Sequence, residues 1–286
     1  MEQESIQLSR TPVYLDSNVI IDMADGREDE LIGLILRSIY NGPYCYPFSA
    51  EQISEITQQE KPERNQQRLV FLADISRSLY LENSLNYLGF KLETTVSVHA
   101  TLNEAPMALE ADTLFANMVT HEQQREARNA YGLSSENLNN LSAQDAIKAI
   151  EAALTTKDHG GLPGNIQPPR SLTDFLRHSA ENMSEHFPDL TNQPSENPEL
   201  IAKNNDYVGL FSLIDTFGFW SDLKKTYVKG SRLADSRHAF IASFCAKVVS
   251  RDKRFLKKAE AAYSYFGLAT ETMSTEEFKS SLKTIL

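Results

Sequence analysis

Four acidic residues stand where separate stretches of chain could each bring one carboxylate to the same place. Asp16 closes the apolar run Val13-Tyr14-Leu15 and is followed by Ser17-Asn18-Val19-Ile20-Ile21. Glu55 lies six residues after Ser49, in Ser49-Ala50-Glu51-Gln52-Ile53-Ser54-Glu55-Ile56. Asp235 and Asp252 flank an apolar stretch and the short run Val248-Val249-Ser250. Converging carboxylates in a poorly screened site repel one another strongly unless a cation sits between them. A cluster of this kind calls for a hard divalent ion, and Mg²⁺ or Mn²⁺ in a carboxylate cage belongs with phosphate chemistry. Glu51 competes with Glu55, because the two lie four residues apart on one helical face. The spacing from Ser49 favours Glu55. Asp22 and Asp25 read as solvated rather than liganding.

The elements that must position these acids alternate between strand and helix. Residues 12–16 read as a strand, and Asp29–Tyr40 as a helix with Leu31, Leu34, Ile35 and Ile39 at helical spacing. Asn41-Gly42-Pro43 stops that helix. Tyr44–Phe48 reads as a second strand. Ser49 caps a helix running to about Gln59, and Pro62 opens another through about Leu81. Near the end come a helix from Asp235, the strand Val248–Ser250, a helix from Asp252 to about Phe266, and a strand at Leu268-Ala269-Thr270. Ser274-Thr275-Glu276-Glu277 is a capping box for a terminal helix. The expected fold class is α/β, a parallel sheet of about four to five strands flanked by helices.

Between these halves the pattern is helical without strand signals. Leu109, Leu114, Phe115 and Met118, then Ala146, Ile147, Ile150 and Leu154, fall at core spacing. Gly160-Gly161-Leu162-Pro163-Gly164 makes a loop, Ser171–Phe187 a helix, and Pro188–Pro198 a second loop. The expected organisation is a discontinuous domain of residues 1–99 and 223–286, with an all-helical insertion or cap at 100–222.

Composition narrows the partners. The chain has 286 residues, 41% hydrophobic and 23% charged, which is ordinary for a globular protein. No apolar run reaches the length of a membrane span, and the start lacks the order of a secretory signal. The expected location is the cytoplasm, with Cys45 and Cys245 as buried thiols. The net charge of −11 argues against a nucleic-acid partner until its distribution is considered. Lys224–Lys258 holds eleven basic residues and two acids, Asp235 and Asp252, a local charge of +9 against −20 for the rest. A basic surround whose only acids are the candidate ligands suits a phosphodiester substrate. The six histidines show no pair at metal-ligand spacing and no cysteine neighbour, so zinc is not indicated. His238 lies three residues after Asp235, where it could face the site, but it reads first as a surface or packing residue.

Taken together, Val13-Tyr14-Leu15-Asp16-Ser17-Asn18, Ser49 with Glu55, Ala234-Asp235-Ser236-Arg237-His238-Ala239 and Val249-Ser250-Arg251-Asp252-Lys253-Arg254-Phe255 resemble the signatures of PIN-domain nucleases, in that family's order. The resemblance covers about 1–95 and 225–286. It implies Asp16, Glu55, Asp235 and Asp252 as a catalytic, metal-binding quartet, with Ser17, Asn18 and Ser250 supporting them. It implies a Mg²⁺- or Mn²⁺-dependent endoribonuclease leaving a 5′-phosphate and a 3′-hydroxyl, with Arg237, Arg251, Lys253 and Arg254 gripping the backbone. RNA is the expected substrate and DNA the alternative. An inactive nucleic-acid-binding scaffold, a related DNA nuclease, and a toxin held by an antitoxin or other regulatory protein remain open readings. The family's toxins are about half this length. A haloacid-dehalogenase-type phosphatase would need an Asp where Asn18 stands.

Overall fold

The first apolar run forms β1 (Thr11–Leu15), an inner strand of a four-stranded parallel sheet. The computed structural model describes residues 6–58, 62–84, 87–104, 121–156, 171–174, 176, 197–221 and 231–286. They belong to two units. One comprises Met1–Ala108, Arg237–Leu256 and Ala269–Leu286, and the other Leu109–Ser236 and Lys257–Leu268.

In the first unit β1 lies between β2 (Tyr44–Cys45) and β5 (Lys247–Ser250), and β6 (Glu271–Ser274) pairs with β5. All three pairings are parallel, with Tyr14 opposite Val248 and Leu15 opposite Val249. Successive strand residues face opposite sides. Val13 and Leu15 enter an apolar core with Ile20, Leu34, Ile53, Phe48 and Phe278, which leaves Tyr14 and Asp16 to the other side. Helices α1 (Ser17–Ala24), α2 (Asp29–Asn41), α3 (Ala50–Thr57), α4 (Pro62–Ser76) and α5 (Thr95–Glu104) belong to this unit with α12 (Thr275–Ile285). Ser49 and Gln52 form a reciprocal capping box on α3, and Ser274 and Glu277 form one on α12.

Three expected element boundaries are corrected by the structure. The helix from Pro62 stops at Ser76, not near Leu81. Arg77 and Ser78 take left-handed φ values of 53° and 62°, and the chain turns into β3 (Leu79–Asn83). That strand forms an antiparallel hairpin with β4 (Leu88–Leu92), an element the sequence reading lacked. Phe48 bridges to Tyr80 in parallel fashion, so the second strand is shorter than Tyr44–Phe48 and its end serves the hairpin. The last strand is also displaced, from Leu268–Thr270 to Glu271–Ser274. Thr270 instead donates its hydroxyl to the Cys245 carbonyl at 2.9 Å.

Asp22 is buried rather than solvated, while Asp25 is exposed but ion-paired. Asp22 pairs with Arg27 and Arg251. Asp25 takes a two-pronged bond from Arg68, Nε to Oδ1 at 2.9 Å and Nη2 to Oδ2 at 2.8 Å. Arg68 is only 5% exposed, and its hydrogen bonds hold the Asp25 carboxyl below its usual value. Asp25 thus contributes stability at neutral pH that is lost as pH falls through its lowered folded value. Arg68→Ala removes this pair from an exposed carboxylate that Arg27 also meets, and urea denaturation should show a loss of about 1 kcal/mol at pH 7, shrinking in acid.

Every described element lying wholly in the second unit is helical: α6 (His121–Ala130), α7 (Ser135–Asn139), α8 (Ala143–Thr156) and α9 (Pro198–Thr216). Parts of α10 (Ser231–Ala242) and α11 (Lys253–Phe266) also belong to it. Ala146, Ile147, Ile150, Leu154, Leu210 and Ile214 are buried. Gly218 follows α9 at φ 88°, where a Cβ would stand 2.1 Å from Ser135 Oγ, so no other residue fits there without displacement. The core positions expected at Leu109, Leu114, Phe115 and Met118, both loops, and most of the helix at 171–187 lie outside the described residues. No helix among the described residues is long and apolar enough to cross a membrane.

Candidate metal centre

Asp16 stands at the carboxyl end of β1, where its amide donates to the Val249 carbonyl at 2.9 Å. Ligands of open parallel sheets bind at that edge. The side chain is 7% exposed and is braced from two directions. Ser250 Oγ donates to Asp16 Oδ2 at 2.6 Å, and Asn18 Nδ2 donates to the same oxygen. Asn18 also donates to Ser250 Oγ at 3.0 Å and accepts from the Arg251 amide at 3.3 Å. The carboxylate is therefore held in one orientation by neighbours at the carboxyl ends of two adjacent strands.

Glu55 reaches the same place from α3. Gln52 ties that helix to β1 by donating to the Leu15 carbonyl, and Ser49 Oγ lies 3.0 Å from the Tyr14 hydroxyl. The third member is His238, from α10 and 2% exposed. Its Nδ1 lies 2.7 Å from the Tyr14 hydroxyl and its Nε2 3.3 Å from Glu55 Oε1. One ligand atom each from Asp16, Glu55 and His238 fall within 4.8 Å of one another. The donor set of two carboxylates and an imidazole fits a divalent cation.

The electrostatics are those of a site short of positive charge. Burial pushes the Asp16 carboxyl up, against the pull of His238 and the Ser250 hydrogen bond. Burial likewise raises Glu51, opposed by His238, Ser49 and Arg237. Burial would also raise Glu55, but His238 and the Ser17 hydroxyl outweigh it and hold the group below its usual value. The His238 ring, which burial alone would lower, is pushed up to about 10 by Glu55, Asp16 and Glu51. Without a metal ion, the ring carries the compensating charge. Glu51 Oε2 is buried with no hydrogen-bond partner, a further oxygen with unused capacity.

The remaining sequence candidates have other partners. Asp235 is placed by the unit division with the helices, where Lys258 Nζ lies 3.3 Å from its Oδ2 and 3.6 Å from Asp215 Oδ1. Lys258 is fully buried, with its ammonium 5.2 Å from the Phe211 ring centroid. Asp252 is exposed and caps α11, its Oδ1 accepting from the Arg254 amide at 2.8 Å and the Phe255 amide at 3.2 Å. Its own amide donates to Ser250 Oγ at 3.0 Å, the hydroxyl that braces Asp16. Among the basic residues, Arg251 pairs with Asp22, Lys247 with Glu271 and Lys257 with Glu260, while Lys253 is exposed and Arg254 half-buried. Lys224, Lys225 and Lys229 lie outside the described residues.

Sequence reading passed over Tyr14 and set His238 aside as a surface or packing residue. The signal available for Tyr14 was its place two residues before Asp16 on an alternating strand. For His238, helical spacing from Asp235 gave a neighbour on its own helix and nothing about β1. No protein-family model, curated protein or solved structure matches this chain.

Proposed function

We propose that this chain is a divalent-metal-dependent nuclease of the PIN-domain type, acting on RNA. The observation that carries the proposal is the meeting of Asp16, Glu55 and His238 at the carboxyl end of an inner parallel strand. The resemblance of the surrounding segments supports the family, and the four-stranded parallel sheet is compatible with it. A divalent ion bound there would polarise a scissile phosphate and acidify a water for in-line attack.

The chain's own residues supply placement. Asp16 and Glu55 provide the anionic donors, with Ser250 and Asn18 fixing the first and the docking of α3 on β1 fixing the second. Asp252, through its amide on Ser250, keeps that bracing hydroxyl in register. Arg251, Lys253 and Arg254 follow directly on β5 and would meet the phosphates of a bound strand, contacts that weaken steeply with salt. Asp235 enters this reading by resemblance alone, as the remaining member of the quartet.

The engagement of Asp235 by Lys258 favours one second reading, a module that binds nucleic acid without cutting it. Incubation of the full chain with single-stranded RNA and with DNA, in Mg²⁺, Mn²⁺ or EDTA, separates the two. RNA should be cut to 5′-phosphate ends in the presence of a divalent ion, and EDTA should stop the reaction. Retention of RNA with no cleavage under any metal condition would leave the binding module as the correct account.

A further inference from the structure

We infer that His238 Nε2 is a third ligand beside the Asp16 and Glu55 carboxylates, so that the centre takes a transition-series divalent ion such as Mn²⁺ in preference to Mg²⁺. The inference rests on the metal reading proposed above and adds the identity of the ion. Its ground is a chain of hydrogen bonds at Nδ1 that leaves Nε2 facing the two carboxylates.

Ser49 Oγ accepts the Gln52 amide of its capping box and lies 3.0 Å from the Tyr14 hydroxyl, whose proton it takes. The single Tyr14 proton being used there, the phenol oxygen accepts from His238 Nδ1–H at 2.7 Å. A Tyr14 that donates to Ser49 has only lone pairs to offer His238, so Nδ1 keeps its proton, and a divalent ion would take the place of the proton on Nε2, which faces the carboxylates. Nε2 is buried 3.3 Å from Glu55 Oε1, within the group of Asp16, Glu55 and His238 ligand atoms that lie within 4.8 Å of one another. A histidine whose second nitrogen donates to a fixed acceptor is the usual arrangement of a metal-bound imidazole.

The donor set then decides between ions. Mg²⁺ demands oxygen ligands in near-ideal octahedral geometry, and its sites seldom include nitrogen. Ions of the transition series accept an imidazole beside two carboxylates readily. Tyr14 and Ser49 act here as positioning residues, setting the tautomer and aim of the ring.

The test titrates the full chain calorimetrically with manganese chloride and with magnesium chloride, and records pulsed electron paramagnetic resonance of the Mn²⁺-loaded protein. Mn²⁺ should bind about ten-fold or more tightly than Mg²⁺, and its spectrum should carry imidazole nitrogen modulation that His238→Gln removes. Tyr14→Phe keeps the ring volume and breaks the relay, so it should weaken Mn²⁺ by about 10–100-fold and Mg²⁺ far less. If His238→Gln fails to fold by circular dichroism, the wild-type nitrogen signal and Tyr14→Phe decide. Bound Mn²⁺ without nitrogen modulation, or Mg²⁺ held as tightly as Mn²⁺, overturns the inference and leaves a metal-dependent nuclease standing. Binding of neither ion overturns both.

Discussion

Asp16→Asn should reduce RNA cleavage by at least about 100-fold while leaving the melting transition within about 1 kcal/mol of wild type. The substitution removes one anionic donor from the centre and changes little else. Ser250 Oγ and Asn18 Nδ2 both donate to Asp16 Oδ2, and an asparagine oxygen accepts the same bonds. The buried carboxyl is itself costly, since burial pushes it up toward its neutral form. Its replacement also relieves repulsion from Glu55. Loss of function with an intact fold is the expected signature of a group kept for chemistry rather than stability. Time courses on a labelled RNA, paired with thermal melts of both proteins, check it. Cleavage at the wild-type rate by a well-folded Asp16→Asn variant would remove Asp16 from the centre.

The metal-free protein should lose stability as the medium becomes alkaline. His238 is pushed up to about 10, since Glu55, Asp16 and Glu51 outweigh the effect of burial. An unfolded histidine titrates near 6.5. The folded chain therefore binds this proton more tightly than the unfolded chain does. Its contribution is complete below about pH 6.5 and is gone once pH has risen through about 10. Between pH 7 and 10 the loss should reach up to about 4 kcal/mol, at 1.4 kcal/mol per unit. Urea denaturation in EDTA across that range measures it, and His238→Gln should flatten the slope. A wild-type curve already flat over those three units would mean the ring is neutral in the free protein. Asp25, held down by Arg68, acts at the opposite end of the scale and does not contribute here.

The sequence disclosed what neighbouring residues decide. The strand at Val13–Leu15, the helix from Asp29, and the caps at Ser49 and Ser274 each depend on a few consecutive side chains, and the structure has all of them. The hairpin was hidden because Arg77 and Ser78 turn through left-handed conformations without the glycine that normally marks them. Leu79-Tyr80-Leu81 then read as the last turn of a helix, although its aromatic and apolar character suits a strand equally well. The pairing at the centre was hidden for a different reason. Tyr14 and His238 are 224 residues apart, and no local pattern reports that one helix sets a histidine against the first strand. Asp235 shows the same limit from the other side. Its basic neighbourhood was visible, but that Lys258 is a buried partner rather than a solvated one depends on burial that only tertiary packing creates.

Strand β1 has a paired neighbour on each flank. An acid borne on an edge strand or a loop can fray away and return, so that a fraction of molecules is idle at any moment. Asp16 has little such excursion open to it, because its amide is bonded to the Val249 carbonyl and the preceding Leu15 carbonyl to Gln52, so freeing it means parting β1 from β5 and losing Val13 and Leu15 from the core. On the nuclease reading proposed above, cleavage and global integrity should thus vanish together on heating.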